Sequence, residues 1–119
     1  MDTVLTESVI GAAMEVANVL GGGFMEKVYE RALTAELRER GLIVQVQPSL
    51  PVHYKGNVVV QYTPDLVVNN QLILELKCAE ALANEHMAQC LNYLKASGLR
   101  IALLLNCQRS KLERKRVVL

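Results

Sequence analysis

Asp65, Glu75 and Lys77 interrupt a run of Val, Leu and Ile that otherwise reads as strand from Tyr62 to Lys77. Two carboxylates held side by side in a partly covered sheet repel each other and lose hydration, so the pair is unfavourable unless something positive offsets it. A divalent cation does that. Oxygen-only ligation by one or two carboxylates with retained waters suits Mg2+ or Mn2+, and a lysine beside the ion can hold or deprotonate a water. The same Glu-x-Lys spacing also suits an ordinary solvated ion pair on a strand face.

The elements that carry these residues decide between the two. Strand side chains alternate, so Leu72, Leu74 and Leu76 share one face and Ile73, Glu75 and Lys77 the other. Leu66 and Val68 likewise oppose Asp65 and Val67. If the apolar faces are matched in a hairpin, Asp65 falls on the side of Glu75 and Lys77. A two-residue Asn69-Asn70 loop would pair Val68 with Gln71 and put Asp65 on the leucine face, so the pattern predicts a three-residue loop or a bulge.

Upstream, Val9, Ile10, Ala13, Ala17 and Leu20 recur at helical spacing from about Thr6 to Leu20, with Thr6 or Asp2 as cap and Gly21-Gly22-Gly23 as stop. No Lys-Ser or Lys-Thr follows those glycines, which argues against a phosphate loop. A second helix is expected from about Phe24 to Arg40, burying Met25, Val28, Tyr29, Ala32, Leu33 and Leu37, with Glu26 on the flank beside Tyr29. Short strands follow at Leu42 to Gln47, Leu50 to Tyr54 and Val58 to Tyr62, and His53 reads as an edge residue outside the site. After Lys77, a helix from about Ala83 to Ala96 is expected to bury Met87, Cys90, Leu91 and Leu94. His86, Gln89 and Tyr93 share another stripe that can close over Asp65, Glu75 and Lys77. Ile101 to Leu105 is an unbroken apolar run, as in a strand covered on both faces, and the basic tail ends in strand-like Val117-Val118-Leu119.

Several of these segments together resemble a known family. Pro64-Asp65 followed by Glu75-Leu76-Lys77 resembles the PD-(D/E)XK nuclease signature, and Gly23-Phe24-Met25-Glu26-Lys27-Val28-Tyr29 resembles the GxxExxY motif of a small protein family in that superfamily. Leu5-Thr6-Glu7, Leu20-Gly21, Gln89 with Tyr93, and Lys115-Arg116-Val117-Val118 extend the likeness over nearly the whole chain. Ala17, where that family usually has His, and Gly21-Gly22-Gly23, where it has Gly-Pro-Gly, depart from it. The resemblance implies a restriction-endonuclease-like α/β core in one domain: N-terminal helices on a mixed sheet, a hairpin bearing the site, and a crossover helix leading to a final strand pair. It implies metal-dependent hydrolysis of nucleic acid, with Asp65, Glu75 and the Leu76 carbonyl on Mg2+ or Mn2+, Glu26 as an added ligand and Lys77 on the water. Gln89, Tyr93, Tyr29 and His86 would position substrate. The competing expectation is a catalytically silent binding or scaffold protein that keeps the fold.

Composition sets outer limits. With 51% apolar but 4% aromatic residues the core is aliphatic and offers no platform for stacking successive bases, while a formal charge of +1 argues against indiscriminate nucleic-acid binding. Cys78, Cys90 and Cys107 lack zinc or disulfide spacing, so they read as reduced thiols in a cytoplasmic protein. Asp2 and Glu7 replace any basic leader, and no apolar run reads as a membrane span. An apolar surplus in a chain of 119 residues predicts a homodimer.

Overall fold

The computed structural model describes residues 3–119. The sheet that organises it has five strands in the order β1-β4-β5-β6-β7: β1 Val44–Val46, β4 Leu66–Val68, β5 Leu72–Lys77, β6 Ile101–Asn106 and β7 Glu113–Val118. Only β5 and β6 run parallel; every other pairing is antiparallel. A parallel pair needs a crossover, and α3 (Asn84–Ser97) supplies it.

Helices cover both faces, which is why β5 and β6 carry near-continuous apolar sequence. On one side α1 (Thr3–Leu20) and α2 (Glu26–Glu39) pack Leu5, Val9, Tyr29, Leu33 and Leu37 against Leu66, Leu72, Leu74, Leu76, Leu103 and Leu105. On the other, α3 packs Cys90, Tyr93 and Leu94 against Val67, Ile73, Ala102 and Leu104. The hairpin register follows the matching of apolar faces: Leu66 pairs with Leu74 and Val68 with Leu72. Asn69 and Asn70 turn the chain with φ of 52° and 53°, the Gln71 N–H closes the turn onto the Val68 carbonyl, and Gln71 is the extra residue that restores the register.

Several expectations are corrected. The first helix begins at Thr3, so Thr6 lies within it and is buried rather than capping; Asp2 lies outside the described residues. α1 is also long and apolar enough, by length and composition, to cross a membrane, with a mean hydropathy of 1.3. Its Leu5, Val9, Ala12, Ala13 and Val16 are nonetheless taken up by the core. Met25 and Val28 are exposed rather than buried, because α2 starts only at Glu26 and turns Tyr29 and Leu33 inward. Leu91 is exposed because Tyr93 takes the inward position on α3. The strand expected over Leu42 to Gln47 shortens to β1. Finally, β2 (Leu50–Tyr54) and β3 (Asn57–Tyr62) form a separate two-stranded ribbon, joined to the body where Leu50 and Tyr62 pack on the α3 side.

Candidate acidic site at the opening between two strands

The β4–β5 ladder stops where its next pair would be Asp65 opposite Glu75. Pro64 has no N–H to continue it. The two acids take over the missing backbone bonds: Glu75 Oε1 accepts from the Asp65 N–H at 2.9 Å, and Asp65 Oδ2 accepts from the Leu76 N–H at 2.7 Å. On its other side the Asp65 carbonyl accepts from the Gln47 N–H at 2.8 Å, so its backbone is held from both directions. The Lys77 carbonyl accepts from the Cys107 N–H beside β6, and strand alternation then turns the Leu76 carbonyl the opposite way, into the opening beside Asp65.

Around this opening the structure brings together most of the residues expected there. Asp65, Glu75 and Lys77 share the α3 side, with Lys77 Nζ 3.6 Å from Glu75 Oε2. The Tyr93 hydroxyl donates to the same Oε2 at 3.3 Å. Glu75 is only 4% exposed, so the solvated-pair reading of Glu-x-Lys does not describe it. Gln89 is half-buried and lies one turn before Tyr93 on α3. Glu26, in the first turn of α2, accepts from the Cys78 N–H at 3.2 Å, just past the end of β5.

Two expected residues are occupied elsewhere. The Tyr29 hydroxyl, 1% exposed with its ring, donates to the Gly21 carbonyl at 2.7 Å and accepts from the Phe24 N–H at 3.1 Å. It ties down the connection that carries Glu26. His86 Nδ1 accepts from the Ala83 N–H at 3.0 Å and so caps α3.

Sequence reasoning missed Glu30. It is 7% exposed, with Oε1 3.7 Å from Lys27 Nζ and 3.4 Å from Gln47 Nε2, and its charge bears on Asp65. The signal was its place one helical turn after Glu26. Asn106, also buried, was missed too: its amide bonds Ala79 N–H, Ala79 carbonyl and Glu113, fixing the segment between β5 and α3.

Burial raises the Asp65 carboxyl above its usual range, with Glu30 and Glu26 adding to the shift and the Leu76 N–H opposing it. Burial and then the Asp65 charge push Glu75 up to about 7, opposed by the Asp65 N–H, Lys77 and Tyr93. Burial and the Glu75 charge hold the Tyr93 phenol protonated well above its ordinary value. A divalent ion would reverse these carboxylate shifts. The donor chemistry fits one: two carboxylates and a backbone carbonyl are hard oxygen ligands around one opening, although among the described residues no three Asp, Glu, His or Cys side chains converge as they stand.

Fold and site thus define a restriction-endonuclease-like α/β protein with an acidic centre at the carboxyl end of β5. Residues 3–117 match the family described as the PD-(D/E)XK nuclease superfamily, and the chain belongs to it. Nucleases of that superfamily generally use divalent metal ions. No curated protein matches the sequence. Among solved structures, SSO0001 is similar at a TM-score of 0.61 and 14% identity over 78% of this chain, which spans only 50% of that protein. An alkaline exonuclease from Laribacter hongkongensis is similar at a TM-score of 0.53 and 14% identity, covering 95% of this chain and 81% of that one. The same enzyme in complex with dAMP gives a TM-score of 0.55, 14% identity and coverage of 95% and 82%.

Proposed function

We propose that this protein is a metal-dependent nuclease of the GxxExxY type that hydrolyses phosphodiester bonds of nucleic acid. The observation that carries the reading is the opposed pair of half-buried Asp65 and buried Glu75 at an open strand end, with Lys77 on the same side. Asp65, Glu75 and the Leu76 carbonyl would hold Mg2+ or Mn2+, with Glu26 at the margin of the ligand set. When bound, the ion lowers the pKa of a water and offsets charge in the transition state. Lys77, a cation beside Glu75, orients the attacking water. Tyr93 fixes Glu75 through its hydroxyl, and Gln89 on the same helix face contacts substrate. The free cysteines fit a reducing, cytoplasmic setting. Exposed apolar residues such as Val59 (60%) support a homodimer.

Titrating Mn2+ or Mg2+ against labelled DNA and RNA tests the reading. Glu75→Ala is expected to weaken ion binding in calorimetry and abolish cleavage with it. Lys77→Ala is expected to leave ion affinity equal or higher, since a nearby positive charge is gone, while cleavage drops on the order of a hundredfold. One observation favours a silent scaffold instead: each acid already satisfies a backbone N–H without an ion. Absence of divalent-ion binding by the wild type would put that second reading ahead.

A further inference from the structure

The connection between α1 and α2 runs along the rim made by the carboxyl ends of β6 and β5. At Gly22 it presses on the β6–β7 loop so closely that an added Cβ would lie 2.7 Å from the Gln108 carbonyl oxygen. Two residues on, the Phe24 carbonyl accepts from the Cys78 thiol at 3.7 Å, and then Glu26 binds the Cys78 N–H. The Phe24 N–H is held by the Tyr29 hydroxyl. The segment is therefore pinned at three residues, Gly22, Phe24 and Glu26, beside the acidic opening.

What this pinned segment displays is apolar. Phe24 is 49% exposed, Met25 78% and Val28 37%, and Phe24 is the chain's sole phenylalanine. The Phe24 ring meets the Tyr29 ring edge-on at 6.2 Å, which fixes it while leaving half its surface to solvent. Fold physics does not explain these choices. Met25 occupies the N-cap of α2 with no side-chain capping bond, where Ser, Thr, Asp or Asn is preferred. Apolar residues at a capping position and on an exposed rim break local rules, and such breaks concentrate at functional sites.

We infer that Phe24, held edge-on by Tyr29, is a stacking platform for one nucleobase next to the scissile phosphate. The inference rests on the nuclease reading and adds to it how the substrate is gripped. The occupant follows from continuity: a phosphate at Asp65 and Glu75 lies beside Glu26, two residues from Phe24, and a base is the flat apolar part of a nucleotide that reaches a neighbouring surface. Stacking is indifferent to base identity because every base has a π face. One ring holds one base, so the platform grips a single nucleotide rather than a long single strand.

The test is single-turnover cleavage with Mn2+ of an oligonucleotide in which each nucleotide flanking the cut is replaced in turn by an abasic residue. Wild type is expected to lose roughly tenfold in apparent affinity at one position. Phe24→Leu, which stays apolar but loses the ring face, is expected to lose about as much on the intact strand and nothing further at that abasic position. Phe24→Trp is expected to behave as wild type. Cleavage by the wild type with no abasic effect, or the same abasic effect in Phe24→Leu, overturns the platform and leaves the nuclease reading standing. Neither binding nor cleavage of any strand by the wild type overturns both.

Discussion

At Glu75, burial and ionisation pull against each other. In the metal-free protein the carboxyl is pushed from 4.5 to about 7, so the folded state holds a proton there that the unfolded chain releases. A raised carboxyl contributes stability that is full below about pH 4.5 and lost as pH climbs through about 7. Asp65, raised for the same reasons, acts in the same direction. The unfolding midpoint of the metal-free protein is therefore expected to fall between pH 5 and pH 8. Glu75→Gln, which keeps an oxygen to accept from Asp65 N–H, is expected to flatten that fall. Thermal melts across this range check it: equal slopes in both proteins would mean that Glu75 is not the titrating group. Asp65, Glu75 and Lys77 were legible in sequence because strand alternation and hairpin register fix which side each takes. Glu30 was not, since an acid on a helix reads as solvated until Lys27 and Gln47 are seen around it. Tyr29 was legible as a buried residue of α2, but the bonds of Tyr29 and His86 were not, because sequence shows neither the Gly21 carbonyl nor the Ala83 N–H that engage their polar atoms.

At the level of elements, the three residues that define GxxExxY have separate jobs in one connection. Gly23 takes a φ of 103°, Glu26 grips the end of β5, and Tyr29 bridges Gly21 and Phe24. Tyr29→Phe leaves that carbonyl and N–H unsatisfied and is expected to destabilise the protein by roughly 1–3 kcal/mol. Gly22→Ala drives a Cβ against backbone at Gln108 and Arg109, which cannot swing aside as a side chain would. It is expected to displace the connection and carry Glu26 away from Cys78. Urea unfolding with ion-binding calorimetry checks both: a Gly22→Ala protein with wild-type stability and affinity would show that the contact does not hold the loop. The helices and the mixed sheet were readable because apolar period distinguishes helix from strand, although the number of strands in the sheet was not. The separation of β2 and β3 was not, since a valine run looks alike in a core strand and an exposed ribbon. Leu91 was misassigned because Met87, Cys90 and Leu94 accept either flank of α3, and only the Tyr93–Glu75 bond and the 5.6 Å contact of Tyr93 with Tyr62 choose between them.

For the whole molecule, that ribbon is the part the core does not use. Tyr54, Val58, Val59 and Val60 are 62%, 49%, 60% and 38% exposed, a concentration of apolar surface that two-stranded ribbons do not need for their own sake. Its edges are poor templates for adding another strand. Pro51 removes a donor from β2, and the register slips between Val52 and His53, leaving Val59 without an opposite residue. Association of two copies would therefore run through the ribbon's faces, where a valine of one copy meets a valine of the other around a twofold axis. On the proposed homodimer, light scattering at tens of micromolar is expected to give twice the 13.2 kDa chain mass. Val59→Lys places a like charge on both sides of that axis and is expected to return the chain to monomer. Because Val59 contributes little to the core, the unfolding free energy of the monomeric form should move by only about 0.5 kcal/mol. A wild type that scatters as a monomer, or a Val59→Lys protein that remains dimeric, would rule out the ribbon face as the contact between copies.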